Sequence, residues 1–135
     1  MQIYFLVVLT HLLSGLVLSS HFLEEKINGF APFSALLQKP RFRLVLGIIT
    51  VLSSLFTLLK VTPSDVIILG DLLPAVTGFL MGAYLILGFF YESLEESRSW
   101  MKSFVDLMED KGHIIGIAAI VVGLLHFLVP TAIIL

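Results

Sequence analysis

Two histidines stand inside uncharged, mostly aliphatic sequence: His11 in "VVLTHLLSGLVLSS" (7–20) and His126 in "GLLHFLVP" (123–130). An imidazole there has three uses. It can be a neutral group satisfied by a hydroxyl or a carbonyl of a neighbouring helix, a proton relay or substrate contact, or an axial ligand of haem b. Thr10, Ser14, Ser53, Ser54 and Thr57 offer hydroxyls for the first use. The remaining histidines, His21 and His113, fall at the other ends of the same two segments. Four histidines in two matched layers is the pattern of bis-histidine haem ligation. Helical geometry weakens it, because His11 and His21 are about 80° out of register and His113 and His126 about 140°. A single haem, or a quinone-reactive site, between His11 and His126 survives that objection. At 1.5 Å per residue both lie roughly 15 Å from the same end of their helices, so the two are expected to approach each other.

Asp71 is the remaining candidate ligand or relay group, at the mouth of the third apolar segment. As an N-cap its carboxylate satisfies backbone donors. As a functional group it contacts an ion or a solute. Catalytic signatures are missing: there is no GxSxG, HExxH or phosphate loop. With no cysteine among the 135 residues, disulfides, thiolate metal sites and Fe–S clusters are excluded for this chain. The expected chemistry is non-enzymatic, without a metal and without a resident cofactor, the haem b alternative apart.

The elements that position these groups are read from charge. Only 13% of residues are charged and 58% are hydrophobic, where a soluble domain carries about 25% charged. A net charge of −2 gives no reason to expect a nucleic-acid partner. Residues 1–23, 44–59, 72–91 and 112–135 carry no charge. A membrane span needs roughly 20 apolar residues. The second run has 16, flanked by Arg43 and Lys60, whose long side chains snorkel outward. "MQIY" lacks a basic leader, so the first run is expected to be a retained helix. The expectation is a single all-α domain over 1–135: a polytopic four-transmembrane-helix bundle with helices at about 1–22, 41–60, 65–91 and 113–134. The third opens either at Ser64, with a kink near Pro74, or at Asp71.

Two connections are long. "FAPFSALLQ" (30–38) is apolar, too short to span, and suits a short helix from Pro32. "SLEE" (93–96) is a capping box opening an amphipathic stretch. Leu94, Met101, Phe104, Val105 and Met108 form its apolar stripe, flanked by Trp100 and Leu107. An interfacial helix over about 93–110, ended by Gly112, is expected. Loops 21–43 and 92–112 together hold seven basic side chains, against Lys60 on the opposite side. That bias places both loops in the cytoplasm and both termini outside, in a bacterial cytoplasmic (inner) membrane. Lys39, Arg41 and Arg43 are candidates for headgroup contact.

Gly78 and Gly82, and Gly112 and Gly116, are spaced for close helix packing. Gly15 and Gly82 stand in matching stretches 67 residues apart, "THLLSGLVL" and "TGFLMGAYL". Gly47 and Gly116 are matched 69 apart. Two tandem hairpins in parallel topology would produce this pattern. Little polar lining is visible, so a partner besides the bilayer is expected, either a second copy in a homo-oligomer or another membrane protein. The functional expectation is a transporter or a subunit of a larger membrane complex.

Overall fold

The computed structural model describes residues 2–59, 72–93 and 99–128. They form five helices: α1 (Gln2–Lys26), α2 (Ala31–Leu37), α3 (Pro40–Leu59), α4 (Leu72–Ser93) and α5 (Ser99–Leu128). All but α2 are long and apolar enough to cross a membrane. No strand occurs among the described residues. Local chemistry sets the ends. After Lys26 the chain turns at Gly29, whose φ of 88° an L side chain rarely adopts. Pro32 sits in the first turn of α2, and Pro40 opens α3 where its missing N–H costs nothing.

α1 lies between α3 and α5, and α4 closes the ring between the same two. The closest pairs are α1 with α5 and α3 with α4. α1 and α4 also touch across the centre, whereas α3 and α5 do not touch among the described residues. This arrangement is unchanged when the two hairpins are exchanged. The glycines make the relation specific. A Cβ on Gly15 would stand 2.6 Å from the Gly116 carbonyl oxygen, and one on Gly116 would stand 2.6 Å from that of Gly15. The same reciprocal approach joins Gly47 and Gly82, at 3.0 and 2.9 Å. The matched repeat pairs Gly15 with Gly82 and Gly47 with Gly116. Exchanging the hairpins therefore turns one crossing into the other, about a pseudo-twofold axis along the bundle.

Packing is inverted relative to a soluble bundle. In α3 the buried residues Leu46, Gly47, Thr50, Ser53, Ser54 and Thr57 recur at helical spacing. Its outer face carries Ile48, Leu52, Leu55 and Phe56. Small and hydroxyl side chains let helices approach closely where lipid supplies the apolar solvent. A larger apolar layer of Val17, Leu37, Leu46 and Leu85 forms toward the end that bears the connections, hereafter the loop end.

One element departs from expectation. The amphipathic stretch and the last span are a single helix, α5, with no break at Gly112. At 1.5 Å per residue its 30 residues run about 45 Å, beyond a hydrocarbon core of about 30 Å. The first third is therefore an extension of the span, not a separate interfacial helix over 93–110. Gly112 is buried instead of capping, facing Leu18 of α1. Val105 and Met108 are buried, while Trp100 and Leu107 stay exposed.

Candidate functional site

A cavity of about 690 Å³ opens at the loop end. Its rim is ionisable: His21 and Glu25 from α1, Arg43 from α3, Glu109 and His113 from α5. Its floor includes Val17 and Tyr84. Arg43 leans inward, its guanidinium 5.7 Å from the Tyr84 ring centroid and 3.0 Å from where a Cβ on Gly88 would lie. This half-buried placement separates Arg43 from Lys39 and Arg41, which are exposed. His113 stacks on Phe22 at 5.8 Å. Sequence reasoning placed His21 and His113 in one layer but did not see a cavity. The charge-rich ends of three helices around a half-buried arginine were the available signal.

The cavity floor adjoins the apolar layer: Val17 belongs to both, and Leu18 and Tyr84, which also line the cavity, pack against that layer. Gln38 seals its edge, donating to Ser20 Oγ and, at 3.1 Å, to the Val17 carbonyl. Beyond the layer the interior turns polar. Ser14 meets Thr50 across α1 and α3 at 2.9 Å. Thr50 already donates to Leu46 O at 2.7 Å, so Ser14 is the donor. Ser53, Ser54 and Thr57 also return their protons to their own helix, at 2.7, 2.8 and 2.9 Å. A hydroxyl spent in this way has oxygen lone pairs left over. Thr10, His11, Ser14, Thr50, Ser53, Ser54 and Thr57 are all buried.

His11 occupies the centre of this layer. Its Nδ1 lies 2.9 Å from Val7 O, and its Nε2 lies 2.8 Å from Pro74 O and 3.0 Å from Thr77 Oγ1. Glycines make the room. A Cβ on Gly78 would stand 3.1 Å from His11 Cε1, and one on Gly123 would stand 3.1 Å from His11 Cβ. Gly78 is the residue 67 positions on, the repeat counterpart of His11. The imidazole thus uses space that a second side chain would claim at the pseudo-twofold axis.

His126 is also buried, with its ring 4.6 Å from that of Tyr4. Its helix, α5, packs along α1. His11 is level with Gly123, so His126 stands about one turn further toward the chain ends. Both His11 nitrogens face oxygens of α1 and α4, not His126. A direct ring-to-ring hydrogen bond gives way to two separate settings. Haem b does not fit between the pair. Axial ligation needs a ring nitrogen directed at the iron, and Gly123 closes the seam against His11. Asp71 lies outside the described residues. Gly82 and Gly116 make the helix crossings, Gly78 makes room for His11 against Ser54, and Gly112 rests on Leu18. Among the described residues, no three His, Asp or Glu side chains gather as a metal site.

No curated protein and no solved structure matches the chain. A family model does, over residues 1–126, from α1 to His126 in the last turn of α5. The chain belongs to that family, one of unknown function.

Proposed function

We propose that this chain is a small membrane transporter. The cavity is its vestibule, the Val17–Leu46–Leu85 layer its barrier, and the hydroxyl layer around His11 the inner site a solute reaches when the barrier parts. The observation that carries the reading is the inward gathering of hydroxyls behind a cavity-facing apolar floor. An anchoring subunit would use the same hydroxyls for helix packing alone, whereas a transporter also uses the cavity beside them. Lone pairs left on the hydroxyls favour solutes rich in hydrogen-bond donors, such as water, hydronium or a small ammonium ion. The basic bias of the long loops puts the vestibule on the cytoplasmic face of a bacterial inner membrane. The outer faces leave room for a homo-oligomer or a partner membrane protein around this unit.

The test is flux in vesicles containing the purified protein, with methylammonium and protons as probes. Saturable flux above protein-free vesicles is expected for at least one probe. Leu85→Ala should raise it by thinning the barrier, and Thr50→Val should lower it by removing an inner oxygen. Flux equal to protein-free vesicles for both probes, in parent and Leu85→Ala alike, would overturn transport and leave the subunit reading.

A further inference from the structure

We propose that His11, Pro74 and Thr77 form a proton-binding site between α1 and α4, in which the Thr77 hydroxyl is the switch. This deepens the transport reading by naming a proton as a ligand of the inner layer. The geometry carries it. Each ring nitrogen of His11 has a carbonyl oxygen within 2.9 Å, Val7 O at Nδ1 and Pro74 O at Nε2. Carbonyl oxygens only accept, and a neutral imidazole has one N–H. A neutral ring that donates from Nδ1 to Val7 O has an Nε2 lone pair directed at Pro74 O. That pairing is unfavourable unless another donor reaches Nε2. Thr77 is that donor, with its Oγ1 3.0 Å from Nε2.

The same hydroxyl has alternative acceptors, Leu73 O at 2.8 Å and Pro74 O at 3.1 Å. Two states follow, and they differ by one proton. In the neutral state Nδ1–H donates to Val7 O and the Thr77 O–H donates to Nε2. When a proton adds to Nε2, the new N–H donates to Pro74 O and Thr77 Oγ1, and the Thr77 O–H rotates to Leu73 O. Every donor finds an acceptor in both states, and no heavy atom need move. The charged state ties α1 to α4 by a charge-assisted bond, stronger than the neutral one. Proton gain therefore tightens a hydrogen-bonded contact that crosses the bundle centre, and proton loss slackens it.

The titratable surroundings are few. α5 presents His126, and α1 presents Tyr4, its ring tilted against that of His126. From α3 the described residues at this level are the hydroxyls Ser53, Ser54 and Thr57; from α4 they are Thr77 and Gly78. The described charged side chains of α3 and α4, Arg41 and Arg43, belong to the loop end. Asp71 and Lys60 lie outside the described residues.

The test reads the ring itself, so it can fail while transport stands, and the reverse. The full chain, labelled with ¹⁵N-histidine, is placed in phosphatidylcholine vesicles and its ring nitrogens are followed by solid-state NMR. His126→Asn and the His21→Asn/His113→Asn double variant assign the His11 signals without touching His11. The expected result is conversion of His11 from one N–H to two as the pH is lowered from about 8 to about 4. Thr77→Val removes the hydroxyl that serves the neutral ring and leaves Pro74 O for the charged one. It should raise the ratio of charged to neutral His11 at a fixed pH by about threefold, the effect of one hydrogen bond inside a membrane. Thr77→Ser should restore the parent ratio. His11 in a single protonation state across that range, or a ratio unmoved by Thr77→Val, would overturn the proposal.

Discussion

Gly112 and Gly116 stand one turn apart on α5 and do different things. A Cβ on Gly116 would meet Gly15 O at 2.6 Å and Ser19 N at 2.9 Å, both backbone. At Gly112 the nearest atom, Leu18 O, is an ordinary 3.6 Å away. Gly116→Ala should therefore destabilise the fold by about 1–3 kcal/mol through overpacking. Gly112→Ala should stabilise it by about 0.5–1 kcal/mol, because alanine is the better helix residue. Thermal unfolding in detergent micelles checks both signs, and a reversed order would contradict the packing. Ser14→Ala removes one interhelical hydrogen bond and should cost only about 0.6 kcal/mol. GxxxG spacing does not distinguish the two glycines, since both fit the motif. The repeat does, for it pairs Gly116 with Gly47 and leaves Gly112 matched to Arg43. It also sets His11 against Gly78, the glycine that makes room for the imidazole in the fold. Depth counted from the chain ends pointed to His126 instead. That count fixes a level to within a turn, and one turn decides a hydrogen bond.

Uncharged runs locate long helices well, because a span must exclude charge over its whole length. They say less about where a helix stops once it leaves the apolar layer. A glycine after Lys111 reads as a helix end, yet α5 passes through Gly112 unbroken. Tertiary packing on α1 outweighs the local preference, and nothing near Gly112 in the sequence reports that contact. The exit of α5 from the bundle has its own test. Met108 is 2% exposed and Trp100 is 57% exposed, although both stand on or beside the apolar stripe. Met108→Asp should bury an unpaired carboxylate and loosen the first third of α5, so that amide exchange across 101–110 rises sharply in mass spectrometry. Trp100→Asp should leave it near the parent rate. Equal responses would mean that the stripe is not buried against the bundle. The inverted character of α3 was present in its sequence as a small-residue and hydroxyl periodicity. It stays hidden while all sixteen uncharged residues are weighed together as one apolar run.

At the scale of the molecule, two hairpins of like direction enclose a polar layer, with the α1–α3 and α4–α5 connections at one end. The pseudo-twofold relation explains why α2 and the start of α5 emerge on the same side as the cavity. It also ties their orientation together, because parallel hairpins cannot face opposite ways. The bias of seven basic side chains in loops 21–43 and 92–112 against Lys60 would then orient the whole bundle at once. The chain has no cysteine, so each introduced thiol is unique. Asn28, in the turn before α2, and Ser103, on α5, are both exposed at the loop end. Asn28→Cys and Ser103→Cys should resist a membrane-impermeant maleimide in intact bacteria and react fully once the cells are lysed. The parallel relation adds a requirement beyond the charge bias, namely that the two positions behave alike. Labelling of both in intact cells would invert the orientation and turn the vestibule outward. Labelling of only one would break the parallel relation between the hairpins, and with it the pairing of the Gly15–Gly116 and Gly82–Gly47 crossings that places His11 at the centre.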